Sequence, residues 1–144
     1  MNVEEINPTD QEIHAILSKP TTVAVMGCSD NPARDSLRIA MLLRDKGFRV
    51  IPVNPQLKPE ALIDVLGERC YADLASIPEP VAIVDVFRRS EFVAEVADQA
   101  IAKGARVLWC QLGVIDLDAA RKAQAAGMTV VMDRCPAIEY RRLF

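Results

Sequence analysis

The residues with the clearest chemical potential are Gly27, Cys28 and Ser29, which follow an apolar, β-branched segment at 21–26. A segment without polar alternation is typical of a strand that is covered on both faces in a parallel sheet. At the exit of such a strand, a glycine lets a phosphate approach the backbone, and amide groups near a helix start favour an anion. The spacing predicts a phosphate cradle at Gly27, in which Ser29 can donate a hydroxyl hydrogen bond; an ordinary strand-to-helix turn is the alternative.

The turn lacks the fingerprints of the common nucleotide sites. The two later glycines of Gly-x-Gly-x-x-Gly are absent after Gly27, and the chain contains no Gly-Lys-Ser/Thr sequence. The next apolar segment ends at Asn54, where an NAD site favours an acidic residue for the ribose. Pro55 beside it offers a flat ring that can line an adenine slot, and Lys58 can reach a phosphate. A loop simply held away from the sheet explains the same residues.

Arginine side chains collect near the expected strand ends and helix starts. The guanidinium group suits phosphate because it can bind two oxygens at once. We expect one or two of these arginines to contact a ligand and the others to be structural. They are Arg34, Arg38, Arg88, Arg89 and Arg134. Gln111 and Gly113 directly follow another strand, so their polar groups are expected in the same crevice, with a packed turn as the alternative.

Cys28 is the thiol best placed for chemistry, because the start of a helix lowers the pKa of a thiol. A nucleophilic cysteine also needs a base, and the only histidine, His14, lies in an amphipathic segment far from the glycine turns. We therefore expect Cys28 to fill the turn rather than to catalyse. The four cysteines form no Cys-x-x-Cys pair, which favours free thiols over zinc or disulfides.

Composition sets limits on the class of protein. With 144 residues, 51% of them hydrophobic and 26% charged, the chain is expected to form one domain over 1–144, with a helical extension at 1–20. A net charge of −3 argues against a broad nucleic-acid footprint. No apolar run approaches the roughly 20 residues of a membrane span. The acidic N-terminal sequence is unlike a signal peptide, so we expect a cytoplasmic protein.

A helix, a glycine and an apolar strand recur three times along the chain. This alternation predicts an α/β fold that is Rossmann-like and doubly wound, with a mostly parallel sheet of five to six strands in three αβα layers. Numbered along the chain, the strands are expected in the order 3-2-1-4-5-6, with a ligand at the switch point between strands 1 and 4. We predict strands at 21–26, 50–53, 70–71, 81–87, 107–110 and 129–132, and helices at 12–19, 37–46, 60–66, 91–103, 117–126 and 138–143, with Ser90 and Asp116 as caps.

Five sequence blocks, in order over about residues 20–143, resemble the CoA-binding protein family. They are Val-Ala-Val-Met-Gly-Cys-Ser, Val-Ile-Pro-Val-Asn-Pro, Val-Asp-Val-Phe-Arg-Arg, Trp-Cys-Gln-Leu-Gly and Val-Val-Met-Asp-Arg-Cys-Pro. The family comprises small domains similar to the CoA-binding N-terminal domain of the succinyl-CoA synthetase α-subunit. The resemblance implies a Rossmann-like fold that holds CoA or an acyl-CoA. It does not imply synthetase activity, because the active histidine of the synthetase belongs to another domain.

The resemblance also implies contacts by position. Gly27, Cys28 and Ser29 would meet the pyrophosphate, with Arg34 nearby; Asn54, Pro55 and Lys58 would surround the adenosine; and Phe87, Arg88, Gln111 and Gly113 would flank the pantetheine path.

Three functional hypotheses follow. The leading one is a CoA-binding module without catalysis of its own, acting as a carrier, sensor or regulatory partner. The second is a small NAD(P)-dependent oxidoreductase or a thiol-dependent transferase, and the third is an interaction protein whose crevice is empty in the cell. A mixed disulfide between Cys28 and CoA is a further hypothesis within the first, and a homodimer is a plausible assembly.

Overall fold

Five segments rich in branched aliphatic residues form one parallel sheet in the computed structural model, which describes residues 2–144 and leaves Met1 outside. A separate pair of short antiparallel strands lies between the second and third of these segments. The strands are β1 (Thr22–Met26), β2 (Arg49–Val53), β3 (Leu62–Ile63), β4 (Glu68–Arg69), β5 (Ile83–Val86), β6 (Val107–Cys110) and β7 (Thr129–Val131). The helices are α1 (Val3–Ile6), α2 (Asp10–Ser18), α3 (Asp35–Asp45), α4 (Val93–Lys103), α5 (Leu117–Ala125) and α6 (Pro136–Leu143).

The strand order confirms the doubly wound topology. The sheet runs β2-β1-β5-β6-β7. Strand β2 lies on one side of β1, and the later strands β5, β6 and β7 are added on the other side, so the strand order reverses between β1 and β5. The expected edge strand at 70–71 is reduced to a single parallel bridge between Tyr71 and Val53. With that bridge counted as strand 3, the order is the predicted 3-2-1-4-5-6. The switch point therefore lies between the exits of β1 and β5.

Each face of the sheet is covered by helices, which confirms the three-layer arrangement. Side chains that alternate along β5 divide between the layers: Val84 packs in the core beneath α4 and α5, and Ile83 packs in the core beneath α2, α3 and α6. Trp109 is the largest fully buried side chain among residues 2–144 and belongs to the second core. Parallel strands buried on both faces explain why no polar alternation is visible in their sequences.

The predicted helix at 60–66 is wrong. Residues 61–70 instead form the β3–β4 hairpin, in which Cys70 N donates to Ala61 O at 2.9 Å and Glu60 N donates to Cys70 O at 2.8 Å. Glu60 itself has a φ of 62°, which no right-handed helix accommodates. The apolar residues of this segment therefore serve a strand and a turn, because their backbone groups are satisfied across the hairpin.

The predicted helix ends differ from the observed ones by a few residues. Thr9 caps α2 through a reciprocal capping box with Glu12, which starts the helix before the predicted residue 12. Asp116 caps α5 as expected, its carboxylate accepting from Ala119 N. Ser90 does not cap a helix, because 90–92 forms a 3₁₀ turn and the Ser90 hydroxyl bonds to the loop after β6.

Gly27 joins the exits of β1 and β5. Its φ is +83°, and a Cβ at this position would lie 2.6 Å from the carbonyl oxygen of Phe87. That distance is well inside van der Waals contact, and the obstructing atom is backbone. The glycine is therefore required by the packing of two strand exits against each other, as well as by its own left-handed backbone.

We predict that Gly27→Ala lowers the free energy of unfolding by about 3 kcal/mol or more, since it adds a backbone clash to the strain of a left-handed alanine. Gly104→Ala is the matched control. Gly104 has a φ of +79°, but apart from its own atoms and those of its two chain neighbours no heavy atom of residues 2–144 lies within 4 Å of the position that a Cβ would take, so only about 1–2 kcal/mol should be lost. Urea unfolding followed by circular dichroism measures both, and equal losses would contradict the packing role of Gly27.

Candidate functional site

Two crevices open at the carboxyl edge of the sheet and share Asp35 and Phe87 as lining residues. We call them the β1–β2 crevice, of about 540 Å³, and the β5–β6 crevice, of about 590 Å³. The other residues lining the β1–β2 crevice are Gly27, Ser29, Arg34, Ser36, Asn54, Gln56 and Leu57. Those lining the β5–β6 crevice are Ile39, Arg88, Arg89, Gln111, Leu112, Gly113, Val114, Cys135, Ala137, Ile138 and Arg141.

The amide groups of the glycine turn are already used by the fold. Gly27 N and Cys28 N both donate to Val53 O, at 2.7 and 3.2 Å. Ser29 N donates to the hydroxyl of Ser36 at 2.9 Å. These bonds tie the exit of β1 to the end of β2 and to the first turn of α3. The expected cradle of free amides is therefore not formed by residues 27–29, although Gly27 and Ser29 do line the crevice.

The N-terminus of α3 is a second feature of the β1–β2 crevice. Arg34 occupies the N-cap position and makes no side-chain cap, so the first turn of α3 lacks the usual capping acceptor. An uncapped helix N-terminus favours negative charge. Arg34, Asp35 and Ser36 all line the β1–β2 crevice. The part of this crevice that favours negative charge thus lies several residues after Gly27 in the sequence.

Asn54 lines the same crevice and forms hydrogen bonds to two of its loops. Its Nδ2 donates to Cys28 O at 3.0 Å, and its Oδ1 accepts from Gln56 N at 2.9 Å. Both ends of the amide are therefore committed to holding two loops together. Pro55 and Lys58 are exposed and do not line the crevice, whereas Gln56 and Leu57 between them do.

Three side chains hold the loop after β6, which forms one wall of the β5–β6 crevice. Asp85 accepts from Gln111 Nε2 at 2.6 Å, and Asp133 accepts from Gly113 N at 2.7 Å. The Ser90 hydroxyl accepts from Ile115 N at 2.9 Å and donates to Gly113 O at 3.2 Å. The partners come from β5 and from the segments after β5 and β7, so neighbouring strand exits fix this wall in place.

Of the five predicted arginines, Arg34, Arg88 and Arg89 line the two crevices, whereas Arg38 and Arg134 do not. Arg34 and Arg88 line the crevices and have no ion-pair partner within residues 2–144; the Arg88 guanidinium lies over the Phe92 ring at 4.0 Å. The structural ion pairs of the other predicted arginines are Arg38–Asp35, Arg89–Glu91 and Arg134–Glu139.

The thiol of Cys28 faces the interior. The residue has no exposed surface and packs in the core beneath α3, and burial raises the pKa of the thiol to about 12. It is thus a core side chain, and thiol exchange there would require the turn to open. The cysteine that lines a crevice is Cys135, which is half-buried at the start of α6.

Asp85 is a buried carboxyl group in the middle of the sheet. It is 1% exposed, and its Oδ2 has no hydrogen-bond partner in the described part of the chain. Burial raises the pKa of Asp85 to about 7, although the hydrogen bond from Gln111 acts in the opposite direction. Its Oδ1 is the group that holds Gln111 at the crevice wall.

Comparison with known proteins decides the family. The model of the CoA binding domain family matches residues 21–141. The chain belongs to this family. The uncharacterized protein YneT of Bacillus subtilis is similar to it, with 37% identity over 129 residues, covering 90% of this chain and 92% of YneT.

Solved structures agree in fold. A hypothetical protein from Pyrococcus horikoshii OT3 superposes with a TM-score of 0.86 at 36% identity, covering 94% of this chain and 92% of its own. The acetyl-coenzyme A synthetase 1 of Ca. Korarchaeum cryptofilum gives a TM-score of 0.63 at 24% identity, covering 81% of this chain and 27% of the synthetase. The second likeness shows the fold alone.

Three further observations concern metal-ligating groups, apolar helices and the histidine. Within residues 2–144, no three histidine, cysteine or acidic side chains are grouped as a metal site would need. In the same range, no helix combines the length and apolar character needed to cross a bilayer. His14 lines neither crevice and stacks on the Phe144 ring at 4.2 Å.

Several crevice residues were not foreseen from sequence. They are Asp35, Ser36, Ile39, Gln56, Leu57, Val114, Cys135, Ala137, Ile138 and Arg141. Ser36 carried a usable signal, because it lies within the first turn of the helix that follows the glycine. Ile138 and Arg141 carried none, since α6 reaches the crevice only through the packing of the last helix against the sheet.

The pKa of Asp85 predicts a specific dependence of stability on pH. In the unfolded chain Asp85 ionises near 3.8, but in the folded protein it holds its proton up to about 7. Its contribution to stability is therefore complete below pH 3.8 and is lost as the pH rises to about 7, by about 1.4 kcal/mol per pH unit.

Asp85→Asn should remove this dependence. The variant is expected to match the wild type near pH 4 and to exceed its free energy of unfolding by about 2 kcal/mol or more at pH 8. Urea unfolding at several pH values measures the difference. Cys28 and Cys110, whose thiols have their pKa raised to about 12 by burial, do not titrate in this range. Parallel stability curves for the two proteins would contradict the prediction.

Proposed function

We propose that this chain binds CoA or an acyl-CoA along the two crevices, as a carrier, sensor or regulatory module without catalysis of its own. The observation that carries the proposal is the uncapped N-terminus of α3 beside Arg34, which opens into a crevice that continues past Phe87 into a second one. Arg34 forms no ion pair within residues 2–144, so its charge is available to a ligand. Membership of the CoA binding domain family supports the same ligand.

The two crevices differ in charge and polarity, and so do the phosphate and pantetheine parts of CoA. The anionic pyrophosphate and 3′-phosphate suit the β1–β2 crevice, where the helix end and Arg34 are positive. The long uncharged pantetheine arm suits the β5–β6 crevice, whose rim includes the exposed apolar side chains of Leu112 and Ile138. Phe87, which lines both, lies where the arm would pass from one to the other.

The non-catalytic part of the proposal rests on the side chains that face the ligand. Among the described residues, no histidine lines either crevice, so the Cys135 thiol in the β5–β6 crevice has no imidazole beside it, and the Cys28 thiol lies in the core. Nucleophilic catalysis by a cysteine normally requires a base within hydrogen-bond reach. A cytoplasmic location and a homodimer stay predictions from sequence.

CoA should bind at least about tenfold more tightly than NAD or ATP in calorimetric titrations, since only CoA fills both crevices. Native mass spectrometry of protein purified without added ligand provides an independent measurement, in which a retained mass equal to that of CoA is expected. Binding of NAD without binding of CoA would reject the proposal in favour of the oxidoreductase alternative.

Arg34→Gln should weaken CoA binding about tenfold, because a charge-assisted hydrogen bond to phosphate contributes about 1.5–3 kcal/mol. The dependence of affinity on salt concentration should also become shallower. Arg106→Gln is the matched control, as Arg106 is also exposed but lies among residues at the amino ends of the strands. Equal losses in both variants would show that overall charge, and not the α3 site, attracts the ligand.

A further inference from the structure

Asp85 has no role in the function proposed so far, yet its burial is costly. Its neighbours in register on the adjacent strands are Val25 and Trp109, both apolar and buried. An aliphatic residue would fit this position of a central parallel strand. A buried carboxyl group with one oxygen unpartnered within residues 2–144 instead lowers the stability of the fold. The fold alone therefore does not explain why an acid occupies the position.

Gln111 connects this acid to the β5–β6 crevice. Gln111 is 6% exposed, lines the crevice, and uses its Nε2 to donate to Asp85 Oδ1 at 2.6 Å. Above about pH 7 the Asp85 carboxylate is ionised and only accepts hydrogen bonds, so it can be faced only by the NH₂ end of the Gln111 amide. The Oε1 atom is then the end of the Gln111 amide that is left for a ligand.

We propose that Asp85 is a positioning residue, which fixes Gln111 so that its Oε1 accepts a hydrogen bond from an N–H donor on an uncharged ligand arm in the β5–β6 crevice. The inference rests on the proposed function, in which that arm is the pantetheine of CoA. Pantetheine carries amide N–H donors, so the polarity that Asp85 imposes matches the arm. Gln111 makes the contact, and Asp85 acts through it.

The test uses Asp85→Val in the full chain at pH 8, above the pKa of Asp85. The variant should unfold at the same or a higher temperature than the wild type, because it removes a buried charge. Its affinity for CoA should fall about tenfold through loss of the positioned hydrogen bond. Its affinity for adenosine 3′,5′-bisphosphate, which lacks the arm, should be unchanged.

A double-mutant cycle separates positioning from a structural role. Gln111→Ala should lose about as much CoA affinity as Asp85→Val, and the double variant should lose no more than either single variant. Asp85→Asn keeps an oxygen acceptor for Gln111 and should stay within about threefold of the wild type. Val84→Ala, on the opposite face of the same strand, should lose stability without losing CoA affinity.

The outcomes are distinguishable. Wild-type affinity for CoA in Asp85→Val, or additive losses in the double variant, would overturn the positioning role while leaving CoA binding intact. Loss of folded protein in Asp85→Val, judged by circular dichroism, would show that the acid stabilises the fold and would also overturn the inference. Absence of CoA binding by the wild type would reject the proposed function, and the role of Asp85 with it.

Discussion

The close approach of two strand exits is the constraint on which the site depends. Phe87 N donates to Met26 O at 2.8 Å, and the Phe87 carbonyl oxygen occupies the space where a side chain at residue 27 would begin. Only a residue without a Cβ lets β1 and β5 end this close together. Phe87 also lines both crevices, so the residue that packs against Gly27 is one that the two crevices share.

The same packing decides which amide groups remain free of partners within the fold. Amide groups in a turn must find acceptors, and those of residues 27–29 find Val53 O and the Ser36 hydroxyl. Once satisfied within the fold, they are no longer available to a phosphate. The first turn of α3 has no side-chain cap, so its dipole and its amides remain the positive feature of the crevice. The anion site predicted at the glycine is therefore proposed instead at the N-terminus of the helix that follows it.

Polar residues around the crevices are mostly engaged with the protein itself. Asn54 joins two loops, Asp133 holds Gly113, and Asp85 holds Gln111. Such bonds fix a wall before a ligand arrives, which reduces the entropy lost on binding. Asp85 shows the cost of this arrangement most clearly, since it sits at a position where an apolar residue would stabilise the sheet. Stability and pre-organisation make opposite demands on that one position.

The amino-acid sequence by itself determined the layers and their order. The sequence contains apolar strands without polar alternation, and these strands take turns along the chain with helices that end at glycines. Few topologies cover both faces of such a sheet, so the order 3-2-1-4-5-6 could be predicted. The sequence also located the crevice edge, because strand exits of a parallel sheet lie at one edge; Gly27, Ser29, Arg34, Asn54, Phe87, Arg88, Gln111 and Gly113 all line it.

The tertiary structure alone decided how those residues are used. Residues 60–66 were predicted to be helical, but the backbone groups of 61–70 pair across a hairpin that also packs beside β2, so local preference gave the wrong prediction. Local sequence also did not predict that the Cys28 side chain packs in the core, that the amides of residues 27–29 donate to acceptors within the fold, or that α6 lines the crevice. Hydrogen-bond partners and side-chain directions are set by residues far apart in the chain, and local sequence carries little information about them.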